Sequence, residues 1–227
     1  MSHPQALAPQ VNRIQQSVLT RAERRLLNWL CARLPRWMTP DVLTSLALVA
    51  AAAIFLGYAM SNWNPAWLWL SVVGYFAHWF GDSLDGSLAR FRQIERPRYG
   101  YFIDHSCDGI ATLLILGGMG LSPYVRTDIA LFGLAAYLLL AINTFLTAKV
   151  MGDFPLSHLG AGPTEMRVML IALTITMFVV GPHSSMVAGF SGFDLFLGAL
   201  AAVLVVVFMV QTWRTGSKLS AHDRPRS

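Results

Sequence analysis

Four aspartates fall within residues 81–109, GDSLDGSLARFRQIERPRYGYFIDHSCDG, at spacings that allow chemistry. Asp82 and Asp85 are three apart and Asp104 and Asp108 four apart, so on helices each pair shares a face. Helices joined by a short loop are expected to pack antiparallel, which would bring the four carboxylates to one point just inside a membrane. Unpartnered carboxylates there repel one another and cost several kcal/mol each to desolvate. Hard divalent cations such as Mg²⁺, Mn²⁺ or Ca²⁺ relieve that cost, because carboxylate oxygens select them. A metal pair sharing carboxylates is a device for phosphoryl transfer, and one carboxylate can act as a base toward an attacking hydroxyl. Gly81, Gly86, Ser87, Ala89, Gly100 and Gly109 border the acids and are expected to leave room for a ligand, while Arg90 suits a carboxylate or phosphate.

The elements that must hold these acids are apolar. Of the 227 residues, 55% are hydrophobic and 13% charged, about half the roughly 25% charge of a soluble domain. Windows at 42–60, 64–81, 101–121, 127–148, 166–182 and 190–210 each approach or exceed the ~20 residues that span a bilayer. The expected fold is an all-α integral membrane protein of six transmembrane helices. An amphipathic interfacial helix is expected before them over 17–34, with Leu19, Leu26, Leu27, Leu30 and Leu34 on one side and arginines mainly on the other. Trp29 and Trp37 suit the headgroup level, Pro35 ends the helix, and TPD at 39–41 opens the first span. The expected organisation is a cytoplasmic N-terminal segment over 1–40, a transmembrane catalytic domain over 41–213 and a mobile cytoplasmic tail over 214–227.

Every Lys and Arg except Arg126 lies in the N-terminal segment, the second or fourth loop, or the tail. The positive-inside rule then places both termini and the aspartate stretch on the cytoplasmic side of a cell inner membrane. The net charge of +5 is a topology signal, not a nucleic-acid footprint, since the basic residues are divided among short loops. No cleaved signal peptide is expected. Cys31 and Cys107 lack metal-ligand spacing and are expected to be small buried residues.

Asp82-x-x-Asp85-Gly86-x-x-Ala89-Arg90, nine residues, then Gly100-x-x-x-Asp104-x-x-x-Asp108 resembles the signature of the CDP-alcohol phosphotransferases, whose usual spacer is eight. FIDHSCDG and GPTE at 162–165 are similar to segments of choline and ethanolamine phosphotransferases, and TPDVLTSLAL to their opening, with Asp41 where Asn is frequent. The resemblance implies transfer of a phosphoalcohol or phosphatidyl group from a CDP-linked donor to an alcohol or lipid acceptor, with release of CMP. It implies two Mg²⁺ or Mn²⁺ ions on Asp82, Asp85, Asp104 and Asp108, with Asp108 also the general base. By the same resemblance Thr44, Asp82, Gly86, Ala89, Arg90 and Gly100 meet the CDP or CMP moiety, and the protein is a homodimer.

Simpler roles weigh against each single residue. One acid alone would suit a helix cap or an ion pair; the four together with interleaved glycines do not. Arg92, Arg96 and Arg98 read as topology residues, and His105 and His158 as satisfied polar groups or phosphate contacts. Glu165 and Arg167 open the fifth span and are possible acceptor or lipid contacts. Asn143 and Lys149 either bond between helices or line the acceptor pocket. A cation transporter would need acids near the midplane and a repeat, and a prenyltransferase two separated Asp-rich motifs; neither pattern is present. A CDP-diacylglycerol donor stays open beside a CDP-aminoalcohol.

Overall fold

The computed structural model describes residues 18–151, 163–182 and 189–223, so His158 lies outside the described residues. The described chain is all-α: α1 (Val18–Cys31), α2 (Pro40–Met60), α3 (Leu68–Phe91), α4 (Pro97–Leu121), α5 (Thr127–Met151), α6 (Pro163–Val180) and α7 (Gly192–His222). A 3₁₀ turn over Pro65–Trp67 links α2 to α3. Four helices, α2, α5, α6 and α7, are long and apolar enough to cross a membrane, which makes this an integral membrane protein. Large apolar side chains such as Val49, Val73 and Val179 point outward, as a lipid solvent permits.

Local sequence explains the helix ends. Thr39 caps α2 by accepting the Val42 N–H, with Pro40 in the first turn where a missing N–H costs nothing. At the end of α3 the Gln93 N–H bonds the Arg90 carbonyl and the Ile94 N–H bonds the Ala89 carbonyl. Gln93 itself takes φ 57, so the paired bonds form a Schellman stop. Ser191 and Asp194 form a reciprocal capping box at the start of α7. That helix runs on past Trp213 to His222, where the sequence was expected to leave a mobile tail.

Packing centres on α2. It lies against both α3 and α4, whereas α3 and α4 make at most marginal contact with each other. The expected direct packing of these two helices on each other is therefore corrected: each packs mainly on α2. Glycines permit the close approach. A Cβ on Gly81 of α3 would lie 2.5 Å from the Leu43 carbonyl oxygen, and one on Gly118 of α4 would lie 2.8 Å from the Phe55 Cα. Gly81 is thus a helix-crossing residue, not the ligand-admitting one its position beside Asp82 suggested.

Two apolar cores result. Leu27 and Cys31 of α1 join Leu43, Leu84 and Leu88, while Ile54, Tyr58, Tyr75, Met119, Met177 and others fill the opposite half. Leu27 and Cys31 pack on the helix bundle, so part of the apolar face expected to meet lipid is used inside the protein, and Leu26 and Trp29 remain exposed. Burial pushes the Cys31 thiol up, which suits an inert packing residue. A polar thread crosses the second core: the Tyr58 hydroxyl lies 2.6 Å from Thr174 Oγ1 and 3.2 Å from the Tyr75 hydroxyl, tying α2, α3 and α6.

Candidate active site

The two carboxylate pairs sit where α3 ends and α4 begins. Asp82 and Asp85 stand on α3, Asp104 and Asp108 on α4, and α2 backs the gap between the helices. Asp82, Asp104 and Asp85 all lie within electrostatic reach of Asp108, as does Arg167 of α6. Among the described residues, however, no three acidic, His or Cys side chains are gathered into a ready-made metal cage. The four acids nonetheless interact electrostatically with one another. Two of the acids have other partners: Asp82 is ion-paired with Arg167, and Asp85 accepts from Thr44.

Thr44 shows how α2 shapes the site. Its hydroxyl lies 2.6 Å from Asp85 Oδ2 and 3.1 Å from the Pro40 carbonyl oxygen, and it has one proton to donate. The shorter contact is charge-assisted and wins. Asp85 Oδ1 also accepts the Gly86 N–H, so this buried carboxylate is fixed on both oxygens. In donor chemistry the set fits a divalent cation: four carboxylates from two helices, with Arg167 paired to Asp82 and the His105 ring 3.8 Å from Asp104.

The remaining expected site residues are placed as follows. A Cβ at Gly100 or Gly109 would meet nothing within 4 Å, so both border open space, while one at Gly86 would touch the Arg90 guanidinium at 3.4 Å. Ala89 is half-buried and Arg90 exposed, its Nη2 3.4 Å from Ser87 Oγ. Glu165 lies in the first turn of α6, two residues before the acid-paired Arg167. His105 packs its ring on Tyr101 at 4.2 Å, with Nδ1 2.7 Å from the Tyr101 carbonyl. Asn143 donates to Thr212 Oγ1 at 2.9 Å, an interhelical bond between α5 and α7, and Lys149 is exposed near the end of α5. Arg92 donates to the carbonyls of Leu34, Pro35 and Met38, so it clasps the α1–α2 linker instead of serving topology alone. Arg96 pairs with Asp41, whose carboxylate raises the guanidinium above its ordinary value.

Residues 37–213 match the CDP-alcohol phosphatidyltransferase family. The chain belongs to that family. Among curated relatives it is 31% identical to cholinephosphotransferase 1 of Gallus gallus over 145 residues, which cover 55% of this chain and 42% of that protein. It is 28% identical to the Danio rerio protein of the same name over 125 residues, covering 49% and 32%, and 29% identical to the human one over 105 residues, covering 44% and 26%. The matched segment thus spans less than half the length of these relatives.

Sequence reasoning missed three members of the neighbourhood. His78 is buried one helical turn before Asp82, within reach of Arg167 and Asp82, and its Nδ1 has no partner among the described residues. The i, i+4 spacing to Asp82 was the available signal. Glu23 and Trp79, bonded to each other at 3.0 Å, carried none, because their partnership spans 56 positions of sequence.

Proposed function

We propose that the protein transfers a phosphoalcohol group from a CDP-linked donor to an alcohol acceptor in the membrane, releasing CMP. The observation that carries this reading is that Asp82, Asp85 and Asp104 all lie within electrostatic reach of Asp108, with open space beside Gly100 and Gly109. Family membership and the cholinephosphotransferase relatives support it. Those relatives' name favours a CDP-aminoalcohol donor with a lipid acceptor, whereas the family's own name favours a CDP-diacylglycerol donor.

Asp82, Asp85, Asp104 and Asp108 would hold the metal, two Mg²⁺ or Mn²⁺ ions. When bound, such ions neutralise the donor's diphosphate and polarise it for in-line displacement. Asp108 takes the proton of the acceptor hydroxyl, whose oxygen forms the new bond to phosphorus. The bond from that phosphorus to the CMP oxygen breaks, and its electron pair leaves on CMP. Gly86, Ala89 and Gly100 admit the nucleotide, and Arg90 flanks the diphosphate. Thr44 orients Asp85 through its hydrogen bond, a role nearer the acids than the cytidine contact expected from sequence. Glu165 and Arg167 stand on the acceptor side.

The topology that suits this reaction has six spans. At 24 and 25 residues α3 and α4 are long enough to cross beside α2, and their charges gather at the end that carries the site. Both termini and the site would face the cytoplasm of the inner membrane, with α1 in the interface and the protein a homodimer. A water-soluble nucleotide and a lipid can meet at such a place.

The test is CMP release by purified protein with Mg²⁺ or Mn²⁺. CDP-choline, CDP-ethanolamine and CDP-diacylglycerol would be offered against diacylglycerol, inositol, glycerol phosphate, serine and choline. CMP from at least one pair is expected; none from any pair would overturn the reading.

A further inference from the structure

Glu23 of α1 accepts two hydrogen bonds on one carboxylate oxygen. The Trp79 Nε1–H donates to Oε1 from α3 at 3.0 Å, and the Thr164 hydroxyl donates to the same atom from α6 at 2.7 Å. Trp79 lies three residues before Asp82 on α3, and Thr164 three residues before Arg167 on α6. Side chains three apart share a helix face. The face of α3 that bonds Glu23 is therefore the face that carries Asp82, and the face of α6 that bonds Glu23 carries Arg167. Asp82 and Arg167 pair directly with each other. Glu23 thus brackets that ion pair from the side of α1, and the three helices are joined by polar contacts at this level.

We propose that Glu23 is a positioning residue for the carboxylate site. It holds the first turns of α6 against α3, which sets Arg167 against Asp82 and so the orientation of Asp82 toward the other acids. The setting of the site then depends on the seating of α1, which also packs on the bundle through Leu27 and Cys31. A polar partner beyond the coordinating side chains commonly fixes their orientation, and losing it costs about 10–100-fold in affinity or activity. Both bonds to Glu23 use an oxygen acceptor, not its charge as such. A glutamine can offer the same oxygen to both donors; an alanine cannot.

The inference rests on the transferase reading only for its activity measurement. Three variants, Glu23→Ala, Glu23→Gln and Thr164→Val, together with the Glu23→Ala/Thr164→Val double, would be purified in detergent. First, melting temperatures form a double-mutant cycle with no reaction involved. The two single losses are expected to be non-additive, the double variant melting close to Glu23→Ala alone. Second, the Mn²⁺ concentration that gives half-maximal thermal stabilisation is expected to rise about 10-fold or more in Glu23→Ala and less than about twofold in Glu23→Gln. Third, CMP release per folded protein should fall by a similar factor in Glu23→Ala, mainly in kcat, and be restored in Glu23→Gln.

Additive melting losses would remove the Glu23–Thr164 contact itself. A Glu23→Ala protein with wild-type Mn²⁺ response, or a Glu23→Gln protein as impaired as Glu23→Ala, would overturn the positioning role. A wild-type protein that releases no CMP would overturn the transferase reading, while the melting cycle would still decide the Glu23 contact.

Discussion

Replacing Gly81 by alanine tests how tightly the site is braced against α2. The new Cβ would lie 2.5 Å from the Leu43 carbonyl oxygen, 2.8 Å from the Ala47 nitrogen and 2.9 Å from the Ala47 Cβ. Two of these atoms are backbone, so no rotamer change relieves the collision and α2 and α3 must move apart. Overpacking of this kind costs about 1–3 kcal/mol, and backbone obstacles put it near the top of that range. Alanine in a helix regains about 1 kcal/mol over glycine. The expected net loss is about 2 kcal/mol, or a melting decrease of about 4–8 °C for a chain of this size. The displacement also stretches the 2.6 Å Thr44–Asp85 bond, so CMP release should fall further than the folded fraction does. Gly117→Ala is the control: its Cβ would meet only the Phe55 ring at 3.8 Å, an ordinary contact, and the propensity gain should leave stability equal or slightly higher. Detergent-solubilised protein would be compared by thermal melting and CMP release. A Gly81→Ala protein as stable as Gly117→Ala would refute the claim that this glycine sets the helix spacing.

Three further outcomes are expected. Asp108→Asn should lower CMP release by at least about 100-fold while nucleotide binding, read by CMP-induced thermal stabilisation, stays largely intact; unchanged turnover would remove Asp108 from the base role. Stripping divalent metal with a chelator should abolish CMP release, and Mg²⁺ or Mn²⁺ should restore it; full activity after stripping would count against the metal assignment. Thr174→Val takes the shorter-bonded of two partners from the buried Tyr58 hydroxyl and leaves it Tyr75, so stability should drop by about 1 kcal/mol, seen as a lower melting temperature, with catalysis per folded molecule unchanged.

The helices that carry the acids, and the four spans α2, α5, α6 and α7, were legible because they are local: spacing along one helix defines a face, and hydropathy defines a span. The mutual placement of α3 and α4 was not. A short loop permits antiparallel pairing without requiring it, and the small residues of α2 make a better partner for each helix than they make for each other. Gly81 was misread for the same reason, since adjacency to Asp82 says nothing of which side a missing Cβ faces. Thr44 was singled out for the nucleotide, not for Asp85, which is 41 positions away; only the crossing of α2 and α3 shows that bond. The apolar stripe of α1 was visible, whereas the single carboxylate on it that reaches the bundle looked like one more polar residue on a charged helix.

The packing of α3 and α4 on α2 has a consequence for how such a protein can afford a binding site at all. A pocket carved into a packed interior leaves its walls without neighbours, and that loss grows with the volume removed. Here the space arises as the notch between two rods laid against a third. The carboxylates therefore occupy an opening that the architecture supplies without hollowing, and the bundle can stay close-packed along α2 while its acid-bearing flanks stand apart.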